Sequence, residues 1–220
     1  MLVIAHRGAR SEAPENSMDA FEKAIVLGAD GIELDVRTSS DGVAMVMHDP
    51  SLNRTTGVKA KVSQTTYARL LQAKLSNGTA IPTLDDVLHA FANRTIIYLE
   101  LKDRKSAPET ERLAAEYPRA KITVSSFDVR ALAGIKLLPK ALLWDKRGSP
   151  LDIAMKSGCA EIHPRLRRAT ARMIRAAHAL EMNVVVWDVH NPTDVRRAML
   201  IGADCIIADD PSMVKGVIPR

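Results

Sequence analysis

Gly31-Ile32-Glu33-Leu34-Asp35-Val36 reads as a strand with two unlike faces. Side chains alternate along a strand, so Glu33 and Asp35 point one way and Leu34 the other. The apolar face calls for a covering helix, and the charged face for an opening to solvent. The pattern returns in Glu100-Leu101-Lys102, which closes a second apolar run. Two further runs end in His6-Arg7-Gly8 and His48-Asp49. Charged groups gathered at strand ends are the mark of a barrel, whose C-terminal rim carries the chemistry.

Outward from this stretch the chain alternates short apolar runs with amphipathic segments. The strand candidates are Leu2–Ala5, Gly31–Val36, Ala44–Met47, Thr95–Leu101, Lys121–Ser125, Ala141–Trp144, Ala160–His163, Asn183–Val189 and Asp204–Ala208. Helical segments are expected at Ser17–Leu27, Leu84–Ala92, Glu109–Glu116, Val129–Leu137, Ala171–Leu180 and Thr193–Ile201, the first capped by Asn16. Strands alternating with helices give a parallel sheet. The expected fold is a TIM (β/α)8 barrel, one unit over residues 1–220. A doubly wound sheet is the rival, but no Gly-rich fingerprint follows the first strand. Nine candidates are one too many for eight strands, and periodicity does not say which is extra. The link between Gly31–Val36 and Ala44–Met47 contains Asp41-Gly42 and suits a hairpin better than a helical crossover. Residues 49–81 break the rhythm and read as a short insertion over the C-terminal mouth, partly helical near Tyr67–Ala73.

Composition narrows the class. The chain has 220 residues, 46% hydrophobic and 26% charged, enough to build a core. No apolar run approaches the ~18 residues of a membrane span, and the start is too short for a secretory leader, so a soluble cytoplasmic protein is expected. Cys159 and Cys205 read as small buried hydrophobes. A net charge of +5 favours an anionic partner. Nucleic acid fits poorly, because aromatics are only 4% and stacking platforms are scarce.

Glu33, Asp35 and Glu100 converging on one mouth would repel each other without a positive centre among them. A hard divalent cation with oxygen ligands, Mg²⁺ or Ca²⁺, answers that need. Arg7 and Lys102 add positive groups suited to a phosphate. His6 and His48 carry imidazoles, the side chain best suited to general acid–base work.

These motifs resemble the glycerophosphodiester phosphodiesterase family. The likeness runs through Ile4-Ala5-His6-Arg7-Gly8, Ala13-Pro14-Glu15-Asn16-Ser17, Ile32-Glu33-Leu34-Asp35-Val36, Val46-Met47-His48-Asp49-Pro50, Leu99-Glu100-Leu101-Lys102, Ser126-Phe127-Asp128 and Val186-Trp187 to Asp210-Pro211. The resemblance implies a TIM barrel that hydrolyses glycerophosphodiesters to glycerol 3-phosphate and an alcohol with a divalent metal. It implies Glu33, Asp35 and Glu100 as metal ligands and His6 and His48 as the acid–base pair. Arg7 and Lys102 would hold the phosphate, with Trp187 beside the glycerol or alcohol end. The family's Trp-Thr-Val-Asn is replaced here by Trp187-Asp188-Val189-His190, which bears on substrate choice.

Other features carry less. Arg165-Leu166-Arg167-Arg168 reads as a solvated helix face, with an anionic surface as the alternative. His163 reads as a structural histidine, with a place in the mouth as its rival. Asp209-Asp210-Pro211 is explained by capping and turn formation, and Asp49 by the same or by orienting His48. A lysophospholipase D acting on single-chain lipids and a non-catalytic phosphate binder are the competing functions. No helix is uniformly apolar enough to require a homo-oligomer, although an apolar patch would allow one.

Overall fold

In the computed structural model, which describes residues 1–218, all nine apolar runs become strands; the last two positions of the expected 1–220 unit lie outside that range. The strands are β1 (Leu2–His6), β2 (Gly31–Thr38), β3 (Ala44–Val46), β4 (Ile96–Leu101), β5 (Ile122–Ser126), β6 (Lys140–Trp144), β7 (Glu161–Pro164), β8 (Asn183–Val189) and β9 (Cys205–Ala208). The order β1-β9-β8-β7-β6-β5-β4-β2 closes on itself where β1 pairs with β2, and every pairing in that ring is parallel. The chain is an eight-stranded parallel barrel. The extra strand is β3, antiparallel on β2 with Val36 opposite Val46 and Thr38 opposite Ala44. Its hairpin is tied by Ser39 Oγ, which accepts from Val43 N at 2.8 Å.

Eight helices cover the ring: α1 (Met18–Val26), α2 (Leu84–Phe91), α3 (Ser106–Ala114), α4 (Val129–Leu132), α5 (Leu151–Lys156), α6 (Ala171–His178), α7 (Pro192–Ile201) and α8 (Pro211–Val217). Two of them, α5 and α8, escaped the periodicity because one or two turns give little pattern to read. In α8, Asp210 caps the first turn and Pro211 opens it, so the capping expected at Asp210-Pro211 is that of a helix start. The cap of α1 is Ser17, whose Oγ accepts from Ala20 N, and not Asn16. Asn16 has φ 56° and turns its amide toward the barrel instead. Val129–Leu137 is helical only to Leu132, where Ala133 caps the helix ahead of Gly134.

The parity seen at Leu34 and Leu101 holds. Leu34, Val36, Leu99 and Leu101 pack outward against Phe21, Leu88 and Phe91 of α1 and α2. Inside the barrel, Ile4, Tyr98, Val185, Cys205 and Ile207 fill the lower layers. Gly31 faces that interior, where an added Cβ would lie 2.6 Å from Ile96 O and from Ile4 Cδ1. Residues 49–81 are better anchored than their composition suggests. Leu52, Val62, Leu70 and Ile81 join Met45 and Met47 in a separate small core. The helix near Tyr67 is one turn, Tyr67–Leu70. Both cysteines are free and buried. No helix among the described residues is long and apolar enough to cross a membrane.

Candidate active site

Strand register assembles the cluster. Asp35 sits opposite Glu100 on β2 and β4, and His6 opposite Glu33 on β1 and β2. All three carboxylates are buried, and one oxygen from each lies within 4.8 Å of the others. Lys102 Nζ donates to Glu100 Oε1 at 2.6 Å and lies 3.1 Å from Asp35 Oδ1. Arg7 Nε lies 3.2 Å from Asp35 Oδ2, while its Nη1 donates to Glu15 at 2.9 Å. The backbone N–H of Arg7 donates to Glu33 Oε2 at 3.0 Å, from a residue held at φ 57°. Such a conformation costs about 1–3 kcal/mol and persists only where its surroundings fix it.

Burial and charge divide the carboxylates. Burial pushes all three up, but Lys102 and Arg7 more than offset this at Asp35, which falls to about 2. Glu100 rises to about 7 through burial and the charge on Asp35. Burial, Asp35 and Glu100 push Glu33 well up. Two cations therefore neutralise one carboxylate fully and leave the other two seeking protons or a further positive charge. Asp35 Oδ1 accepts no hydrogen bond among the described residues, its nearest cation being Lys102 Nζ at 3.1 Å. Three clustered carboxylates, a spare buried lone pair and an all-oxygen donor set fit a hard divalent cation.

Both histidines are backed by carboxylates. His6 Nδ1 is 2.7 Å from Asp209 Oδ1, and His48 Nδ1 is 2.7 Å from Asp49 Oδ1. An ionised carboxylate only accepts, so each Nδ1 carries the proton and each Nε2 is left as the basic atom. Burial lowers the proton affinity of His48, against the pull of Asp35. Arg54, from the insertion, fixes Asp49 with a 2.7 Å bond and reaches Glu15 with two more.

Of the expected metal-binding, catalytic and substrate-binding residues, His6, Arg7, Glu33, His48, Glu100, Lys102 and Trp187 line one cavity of about 450 Å³, while Asp35 is fully buried. Its far wall is apolar, with Phe127 edge-on to Trp187 at 5.7 Å. Trp187 Nε1 donates to His163 O. His163 itself is fully buried on Glu161 at 2.8 Å, so it stays out of the mouth.

Three partners were missed. Asp209 follows Cys205 and Ile207 at inward parity, so the alternation used for Glu33 and Asp35 also points to it. Asn16 holds Asp35 through Nδ2 at 2.8 Å, and Glu15 gathers Arg7 and Arg54. Both lie on a loop, where no period applies.

Residues 6–213 match the glycerophosphoryl diester phosphodiesterase family. The chain belongs to that family. It is 33% identical over 235 aligned positions to the glycerophosphodiester phosphodiesterase of Bacillus altitudinis, covering 95% of this chain and 94% of that one. It is also similar to the crystal structure of a glycerophosphodiester phosphodiesterase from Thermotoga maritima, with 28% identity, a TM-score of 0.88, and 99% and 98% of the two chains covered. An Oleispira antarctica phosphodiesterase, solved in complex with the product sn-glycerol-3-phosphate, shares the fold at 22% identity and a TM-score of 0.92, with 99% and 96% coverage. Within this family enzyme, the departures Asp188 and His190 stand together at the rim. Asp188, at φ 70°, accepts from Arg165 Nε and meets His190 Nε2 at 2.9 Å.

Proposed function

We propose that this enzyme hydrolyses glycerophosphodiesters to glycerol 3-phosphate and a free alcohol, with Mg²⁺ or Ca²⁺ held by Glu33, Asp35 and Glu100. The observation that carries the reading is the buried carboxylate cluster opening into a cavity shared with two carboxylate-backed histidines. Glu33, Asp35 and Glu100 would hold the cation, which would supply Lewis-acid charge for the phosphate.

The chain's own groups do the rest. Arg7 and Lys102, both raised in proton affinity by Asp35 against the effect of burial, stay charged at any working pH. They offset the charge that develops on the phosphate oxygens. One histidine takes a proton from the nucleophile through Nε2, and the other returns one to the leaving alkoxide. Asp49 and Asp209 hold the rings and favour the imidazolium as it forms. Trp187 and Phe127 bound the cavity where the carbon skeleton of the substrate lies. Product analysis on glycerophosphocholine tests this reading: glycerol 3-phosphate and choline are expected, whereas phosphocholine and glycerol would contradict it.

A second reading, a lysophospholipase D, is favoured by the apolar stretch Phe127, Leu143, Trp187 and Ile207 along one wall. Release of a lysophosphatidate from a one-chain lipid faster than glycerol 3-phosphate from its deacylated counterpart would select it.

The cation reading also sets a pH dependence. Without metal, the folded protein keeps the Glu100 proton up to about pH 7, whereas the unfolded chain releases it near 4.5. The folded state then binds more protons across that window, so metal-free stability falls as pH rises from about 4.5 to 7. A cation replaces those protons and restores what was lost. Its thermal stabilisation is expected to be larger at pH 8 than at pH 5.5, by scanning calorimetry with and without 5 mM (on the order of saturating) Mg²⁺ or Ca²⁺. An equal or larger shift at pH 5.5 contradicts the assignment.

A further inference from the structure

The run Arg165-Leu166-Arg167-Arg168 is left unused by the reaction, and it does not lie on a helix face. It leaves the C-terminal end of β7 and makes a single 3₁₀ turn, Leu166–Arg168. A solvated helical face spreads its charges, but here three guanidiniums converge on one carboxylate. Asp145, just past β6, accepts from Arg165 Nη1 at 3.0 Å, Arg167 Nη2 at 2.9 Å and Arg168 Nε at 3.3 Å. Asp188 takes the remaining contact, from Arg165 Nε. Three positive charges thus face two negative ones, and Lys146 and Arg147 follow Asp145 in the chain. Among the described residues, Arg165 Nη2, Arg167 Nη1 and both terminal nitrogens of Arg168 have no acceptor.

The cluster begins where the cavity ends. Arg165 lies 5.4 Å from the centroid of the Trp187 ring, and Trp187 and Asp188 both line the cavity. We infer that Arg165, Arg167 and Arg168 form a second anion subsite, which receives a phosphate or carboxylate carried by the substrate beyond the scissile phosphodiester. The inference rests on the proposed diesterase reaction and adds its substrate class: glycerophosphodiesters whose alcohol bears its own negative charge.

Two features favour a substrate group over a lipid surface. Leu166, the apolar residue within the run, is buried, so the run itself offers a membrane no apolar anchor. Asp145 also holds the arginines in place before any ligand arrives, which lowers the ordering cost of binding a small anion. Guanidinium forks suit a tetrahedral phosphate or planar carboxylate.

The test compares glycerophosphocholine with glycerophosphoinositol 4-phosphate on the wild type and on the Arg167→Gln/Arg168→Gln double variant. Binding of free inositol 4-phosphate is followed by calorimetry on both proteins. Each exposed charge-assisted contact is worth up to about tenfold. The wild type is expected to favour the phosphorylated substrate by about tenfold or more in kcat/KM. The variant should lose that preference through KM, bind inositol 4-phosphate about tenfold more weakly and turn over glycerophosphocholine as before. Added salt should erode the preference. Equal kcat/KM for the two substrates in the wild type, or unchanged inositol 4-phosphate binding in the variant, overturns the subsite. So does loss of sedimentation with anionic phosphatidylglycerol vesicles while substrate preference stays put, since that assigns the arginines to a membrane. Absence of turnover on both diesters, with inositol 4-phosphate binding that still depends on Arg167 and Arg168, keeps the subsite and removes the diesterase reading instead.

Discussion

His48→Ala is expected to lower kcat by about 10³-fold, and His6→Ala by a similar factor, with KM little changed. Each ring has a carboxylate on Nδ1 and an unused Nε2 at the cavity, an arrangement that serves proton transfer more than packing. The alanine variant keeps the local fold, because Arg37 Nε donates to the backbone oxygen of His48 and not to its ring. Steady-state kinetics beside a urea melt separate the two contributions. Loss of stability without a fall in kcat would make these structural histidines. Their removal together should cost little more than either alone, since both act in one proton circuit.

Asp35→Asn and Glu33→Gln are expected to look alike in activity and to differ in stability. Each removes a carboxylate from the cation cluster, so each should reduce turnover to near background. In EDTA, however, Asp35 is the ionised partner of two buried cations, Lys102 at 3.1 Å and Arg7 at 3.2 Å. Removing one member of a buried pair costs about 3–5 kcal/mol. Glu100 still holds Lys102 and Glu15 still holds Arg7, so about 3 kcal/mol is expected for Asp35→Asn. Burial, Asp35 and Glu100 all push Glu33 toward its protonated form when no metal is bound. Glutamine there copies the protonated acid and can still accept from Arg7 N. Urea unfolding in EDTA should leave Glu33→Gln within about 1 kcal/mol of the parent. Equal destabilisation by both variants would contradict the division of charge within the cluster.

Most of this site can be read in the sequence because strands impose a period. One glance at Glu33-Leu34-Asp35 and Glu100-Leu101-Lys102 separates the barrel interior from the helix-facing side, and the core agrees. The same rule reaches Asp209 through Cys205 and Ile207. There it was masked by Asp210-Pro211, whose turn chemistry explains a neighbouring aspartate too easily. Loops offer no such rule. Asn16 carries a plausible capping pattern with Asp19, yet Ser17 makes the cap one residue later and frees Asn16 for Asp35. The strand Ala44–Val46 is legible, but periodicity does not mark it as the extra one, because only its antiparallel pairing with β2 sets it outside the parallel ring. The insertion's small core likewise draws Leu52, Val62, Leu70 and Ile81 from positions without a common spacing. The arginine run reads as a helix face from its sequence alone, because its charges converge only after β6 and β7 bring Asp145 beside it.

The central claim is that buried carboxylates, a divalent cation and two histidines cleave a glycerophosphodiester. Release of glycerol 3-phosphate from glycerophosphocholine, followed before and after EDTA and again after Mg²⁺ or Ca²⁺ is restored, tests it most directly. The account predicts turnover that EDTA abolishes and at least one of the two cations restores. Turnover that persists in EDTA, or none with either cation, would contradict it.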